Sequence, residues 1–134
     1  MQNTPELREI LYVSKLAADA PIRVVADIAV KSRSANKSRE ITGLLVFDGM
    51  HFCQQLEGDD TVVSELINRI RADPRHTDDE ILHRGPLADR RFRQWSLGYT
   101  SVDDVEAVAR LEQLQGHAAV EAFMGMLPGL DLEG

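Results

Sequence analysis

Tyr12, Asn36 and Gln54 are the residues of this chain whose types and surroundings could do chemistry. Tyr12 lies within Ile10-Leu11-Tyr12-Val13 and Gln54 within Phe52-Cys53-Gln54-Gln55-Leu56, while Asn36 follows an apolar stripe of Ile22, Val25, Ile28 and Ala29. A phenol and two amides bring both donors and acceptors, and a glutamine carries the two on one planar group. Alternation along a strand sets Phe52, Gln54 and Leu56 on one face and Cys53, Gln55 and Glu57 on the other. Gln54 therefore shares a face with two apolar neighbours, and if buried it must find partners. Each of the three also has an ordinary reading: a packing Tyr with its hydroxyl satisfied, a solvent-facing Gln, an Asn that caps or turns.

Other chemistries are hard to place on this sequence. It has no Gly-rich phosphate loop, HExxH, paired-cysteine metal spacing or GxSxG elbow. His51, His76, His83 and His117 have no spacing that implies a shared metal, so no metal is expected and each reads as a surface or packing histidine. Cys53 is the one cysteine, which excludes an internal disulfide and suits a reducing cytoplasm. With 15 basic against 22 acidic residues the net charge is −7, which works against nucleic acid or an anionic membrane as partner. Met1 to Glu6 has no signal-peptide pattern, and no run approaches the roughly 18 apolar residues of a membrane span.

The elements that must position these side chains follow from periodicity. Leu7 to Ser14 reads as a strand; after Pro21 a helix with its apolar stripe is expected to end by Ser34. Ile41 to Phe47 and His51 to Leu56 form a hairpin through Asp48-Gly49, a pair suited to positive φ. Asp59-Asp60 can cap a second helix with Val63, Leu66, Ile67 and Ile70 at i, i+3, i+4, i+7, stopping before Pro74. Ile81 to Arg84 and Trp95 to Tyr99 are further strands. The order is an α+β, ferredoxin-like β-α-β-β-α-β core with a fifth strand and both helices on one sheet face. Beyond it, Ser101 is expected to cap a helix with Val105, Val108 and Leu111, and Val120, Phe123, Met124 and Leu127 mark another. The 134 residues thus divide into 1–100 and a helical extension, 101–134, that packs on the open sheet face or in a dimer interface.

Several of these pieces together resemble a known family. Leu11-Tyr12-Val13-Ser14, Ser32-Arg33-Ser34-Ala35-Asn36 and Ile41-Thr42-Gly43-Leu44-Leu45 are similar to the opening half of BLUF domains, which sense blue light with a flavin. Phe52-Cys53-Gln54-Gln55-Leu56-Glu57-Gly58, Asp73-Pro74-Arg75-His76 and Arg91-Phe92-Arg93-Gln94-Trp95-Ser96-Leu97-Gly98 continue the likeness in order, over about residues 7 to 100. The resemblance implies that Tyr12 is the photoactive tyrosine and that Gln54 bonds both it and the flavin N5/O4 edge. Asn36 then binds the C4=O and N3–H edge. Arg69, Asp73, Arg75 and His76 fall at polar contacts to the ring's pyrimidine end and the cofactor tail, Ile28 and Ile70 sandwich the ring, and Ser32, more than Ser14, could contact the cofactor.

The same resemblance implies photosensing rather than turnover, so the chain is not expected to be an enzyme. Tyr12 gives an electron and a proton to the flavin and recovers them, leaving Gln54 rotated or tautomerised. The cofactor implied is FAD, with FMN or riboflavin as alternatives, and output would pass to an unidentified partner protein or through self-association as a homo-oligomer. Many family members have Met where this chain has Leu97, so Trp95 or Leu97 is the expected transmitter from the last strand. The rival readings are an RNA-recognition module, for which the chain has few aromatics (5%) and the wrong charge; an acylphosphatase-type hydrolase using Arg33 and Asn36; and a flavin-binding domain without signalling.

Overall fold

The computed structural model describes residues 7–21, 23–93, 96–101 and 107–129. Strand β1 (Leu7–Leu16) and strand β3 (His51–Asp59) are buried through their middles on both sides, as central strands covered by helices on either face must be. Strand β2 (Thr42–Phe47) joins β3 through a hairpin in which Asp48 accepts the backbone N–H of Met50 and of His51, and Gly49 takes a φ of 98°. Helix α1 (Val24–Ser38) links β1 to β2, and helix α2 (Asp60–Ala72) links β3 to strand β4 (His76–Pro86). The sheet order is β4-β1-β3-β2-β5, where the short strand β5 (Gly98–Ser101) runs parallel to β2 and every other neighbour is antiparallel. This is the ferredoxin-like arrangement with one added edge strand.

Both helices lie over one face, each on its own apolar cluster. Val25, Ile28 and Ala29 of α1 meet Leu45, Phe47, Phe52 and Leu97. Val63 and Ile67 of α2 meet Ile10, Tyr12, Ile41 and Leu56. On the opposite face, helices α3 (Ala107–Leu111) and α4 (His117–Met126), followed by a 3-10 turn at Leu127–Gly129, close a larger cluster. There Val108, Val120 and Phe123 pack on Leu11, Val13, Leu44, Val46 and Cys53. The backbone N–H of Gly116 bonds the carbonyl of Leu82 at 2.8 Å and pins the start of α4 to β4.

Several boundaries differ from the sequence expectation. Helix α1 continues four residues past Ser34, because the polar run after Lys31 faces solvent while Asn36 turns inward, and burial of that one residue holds the last turn. Strand β4 is much longer than Ile81 to Arg84; it is an edge strand with an alternating, largely polar surface, and Ile81-Leu82 is only its apolar centre. Strand β5 starts at Gly98, after Leu97, and runs to Ser101; the first turn of a helix capped by Ser101 would fall at 102–106, outside the described residues. Asp59 occupies the α2 cap position without a side-chain cap bond. Trp95, Val105 and Ile22 lie outside the described residues. No helix among the described residues is long and apolar enough to cross a membrane.

Candidate functional site

The site is assembled on the face beneath α1 and α2. Register places Leu45, Gln54, Tyr12 and Ile81 in one row across β2, β3, β1 and β4, with Phe47, Phe52 and Ser14 in the next. Tyr12 and Gln54 are thus direct cross-strand neighbours, 0% and 4% exposed. The Tyr12 hydroxyl has no hydrogen bond of good geometry, although Ser14 and Asp79 lie near enough to influence it. Burial is the largest influence and pushes the phenol up, so the proton stays on. Gln54 is buried beside Tyr12 on the same face. A buried phenol left this way is expensive unless a ligand completes it.

The other expected residues fall into distinct places. Ile28, Ser32 and Asn36 follow one another at four-residue spacing along α1, which puts them on one helix face. Ile28 belongs to the α1 cluster and Ile70 packs at the margin of the α2 cluster, so each helix contributes one of them to this face. Ser32 is half-buried. Asn36 is 1% exposed, and its Nδ2 donates to the Ser96 carbonyl at 2.9 Å.

Ser14 Oγ and His76 Nδ1 are 2.8 Å apart, and the His76 ring lies 4.7 Å from Phe52 and 6.4 Å from Tyr12. Burial holds His76 below its ordinary value and keeps it neutral. Asp73 and Arg75 form a forked pair, Nε at 3.0 Å from both oxygens and Nη2 at 2.6 Å from one. The Arg75 bonds hold the Asp73 carboxyl below the usual range. The guanidinium of Arg75 is therefore engaged within its own turn, while Arg69 is exposed on α2.

Arg33 carries a role that residue type and spacing did not reveal. Its Nε donates to the Leu97 carbonyl at 2.9 Å, so Arg33 and Asn36 together clasp consecutive carbonyls of the segment entering β5. The only signal was its place three residues before Asn36, on the same turn of helix. Leu97 itself is fully buried against Ile28, Phe47 and Phe52.

What this arrangement can accept is a flat heterocycle. Apolar side chains of both helices lie on the sheet face that carries the Tyr12 phenol and the Gln54 amide, a mixture of apolar surface and a few polar groups that suits such a ligand. The residues present fit a flavin ring by that chemistry. Among the described residues no group of three His, Cys, Asp or Glu could hold a metal ion.

The family model of BLUF, described as sensors of blue-light using FAD, matches residues 7–98. The chain belongs to the BLUF family. Its fold overlays that of BlrB, a BLUF protein in its dark state, with a TM-score of 0.71 and 34% identity over 83% of this chain and 85% of that one. The photo-activated state of BlsA matches with a TM-score of 0.80 over 96% and 99% of the two chains; at 22% identity that is a likeness of fold alone. The photoactivated adenylate cyclase subunit alpha of Euglena gracilis is 30% identical over 104 residues, 75% of this chain and 10% of that protein. The blue light- and temperature-regulated antirepressor BluF of Escherichia coli K12 is 33% identical over 70 residues, 52% of this chain and 17% of that protein. The chain spans about a tenth of the length of the cyclase subunit. BLUF domains are flavin-binding blue-light photoreceptors, and the match to a bacterial light-regulated adenylyl cyclase covers 33% of that chain. The RNA-binding and hydrolase readings lose their basis with this membership.

Proposed function

We propose that this BLUF domain holds FAD with its ring between α1 and α2 and reports blue light through Tyr12 and Gln54. The observation that carries this reading is the buried cross-strand pair itself, in which the Tyr12 hydroxyl lacks a partner. Asn36 is assigned to the pyrimidine edge, Ile28 and Ile70 to the faces of the ring, and Ser32, Arg69, Asp73, Arg75 and His76 to its polar periphery. When bound, the flavin supplies blue-light absorption and an electron-accepting ring.

The chain's part is to move one electron and one proton out and back. Tyr12 is kept protonated in the dark by burial, so it can give up both, and Gln54, directly opposite, is the group placed to pass the proton. Tyr12 recovers what it gave, and Gln54 is left with donor and acceptor ends exchanged, which changes the hydrogen bond it offers the ligand. Nothing is consumed. His76, neutral and bonded to Ser14, keeps a charge away from the row. Leu97, with Trp95 two residues before it in sequence, is assigned to transmission into β5, and output is assigned to a partner protein or to self-association of the chain.

The test is an absorption spectrum of the flavin-loaded protein before and after blue light. A small red shift that reverts in the dark is expected. A protein that stays colourless with FAD, FMN and riboflavin all supplied overturns the reading.

A further inference from the structure

On the sheet face opposite the flavin site, register sets two carboxylates against each other: Glu9 of β1 and Glu57 of β3, 1% and 0% exposed. Like charges so placed repel, and each is costly to bury unless paired. The segment that leads toward β5 supplies most of the pairing. Arg91 donates Nε to Glu9 at 3.0 Å and its backbone N–H to Glu57 at 2.8 Å, and the N–H of Phe92 reaches Glu57 at 3.1 Å. Gln55 Nε2 donates to Glu9 at 2.7 Å, Thr42 donates to Glu57 at 2.9 Å, and His83 Nε2 lies 3.4 Å from Glu9. Burial would raise the Glu9 carboxyl, but the bonds from Arg91 and Gln55 outweigh it and hold the group below its usual range.

Gln55 is the residue after Gln54, so the central strand carries two buried amides back to back, one toward each layer. The Gln55 amide is fully buried, and its oxygen has no partner while its nitrogen is committed to Glu9. That bond crosses from β3 to β1, so a slide of one strand on the other strains it. Arg91 and α4 residues His117, Val120, Glu121 and Met124 line a cleft of about 400 Å³. Phe92 packs with Val120 and Phe123 in the core on that side, and the His117 ring lies 4.9 Å from that of His83, tilted by 45°. Residues 91 and 92 are thereby held by Glu9 and Glu57 from one face, and Ser96 and Leu97 by Asn36 and Arg33 from the other.

We propose that Gln55, Glu9 and Arg91 are positioning residues that carry a displacement of β3 from the flavin side through the sheet to segment 90–92 and on to α4. The inference rests on the reading of Gln54 above. A change in what Gln54 bonds shifts the β3 backbone, Gln55 moves with it, and Arg91 follows Glu9 because that carboxylate cannot be left buried without its cation.

The test compares the flavin-loaded full chain with Gln55→Leu and Arg91→Ala, reading the light-induced red shift and the hydrogen exchange of 117–126 in dark and light. In the unaltered protein, light is expected to change exchange across α4. In both variants the red shift is expected to persist while the light–dark difference in α4 is lost. A merely structural role would instead raise exchange equally in dark and light and keep the difference, and Gln55→Leu, close in volume and fully buried, guards against simple unfolding of Arg91→Ala. Persistence of the α4 difference in Gln55→Leu overturns the relay, as does an unaltered protein that red-shifts without any response in α4. Absence of the red shift from the unaltered protein would instead sink the flavin reading.

Discussion

Tyr12 and Gln54 face each other across the β1–β3 ladder, both buried on the same side of the sheet, and the Tyr12 hydroxyl has no hydrogen bond of good geometry. A sequence selected for stability alone would put aliphatic side chains there, since an unpaired buried polar group costs about 1–3 kcal/mol. The pair has the character of a site whose last partner is a ligand.

That cost gives the first prediction. Tyr12→Phe removes the unpartnered hydroxyl and leaves the ring in its cluster, so the flavin-free protein is expected to be at least as stable as the parent, by up to about 1 kcal/mol. The flavin-loaded variant is expected to be yellow and to lack the light-induced shift. Urea midpoints and light-minus-dark spectra check the two halves, and a variant that keeps the shift removes Tyr12 from the mechanism.

Arg33 anchors the segment before β5 through the Leu97 carbonyl. Arg33→Ala deletes a charge-assisted bond and leaves that carbonyl to find water, a loss of about 1.5–3 kcal/mol. Exchange of the β5 amides is expected to quicken, because the strand is an edge strand held on one side by β2 alone. Arg33→Lys is expected to recover part of the effect. Unchanged β5 protection in Arg33→Ala means the anchor is not what orders the strand.

Most of this architecture was legible in the sequence because it is periodic: two helical stripes, the alternation in β3 and the Asp48-Gly49 hairpin are local signals. The register that brings Tyr12 opposite Gln54 follows once the strand order is known. What could not be seen depends on distance. The end of α1 was placed too early because only the burial of Asn36 under a segment 60 residues away marks its last turn. The Glu9–Arg91 pair spans 82 residues and Glu57–Arg91 34, and no spacing rule links a charge in a central strand to a loop that far along. Edge strand β4 was underestimated for a related reason, since most of its residues face water.

Stability is expected to fall with pH in two stages. The folded-state value of His76 is depressed below 6.5 by burial, so between that value and 6.5 the unfolded chain binds more protons. The stability present above 6.5 is lost as pH falls through the folded value. Glu9 and Asp73, both held low by their partners, contribute stability that is complete above their ordinary values of 4.5 and 3.8 and is lost as pH falls through the depressed ones. His76→Gln is expected to flatten the upper stage and leave the lower one. Urea midpoints measured from about pH 8 to about pH 2 separate the stages, and an unchanged upper stage in the variant would assign it to another group.

Leu97 is fully buried, seated on Ile28, Phe47 and Phe52 of the cluster beneath α1. Truncation to Ala opens a cavity at the entry to β5, with an expected loss of about 2–5 kcal/mol. Leu97→Met conserves volume and is expected to cost less than about 1.5 kcal/mol. Because the segment is fixed by its carbonyls, through Arg33 and Asn36, and not by the polarity of this side chain, Leu97→Met is expected to keep a red shift of parental size. Thermal unfolding and the light-minus-dark spectrum decide the matter together. A stable Leu97→Ala shows that the side chain is not seated as described, and an altered shift in Leu97→Met shows that the flavin site senses the group at this position directly.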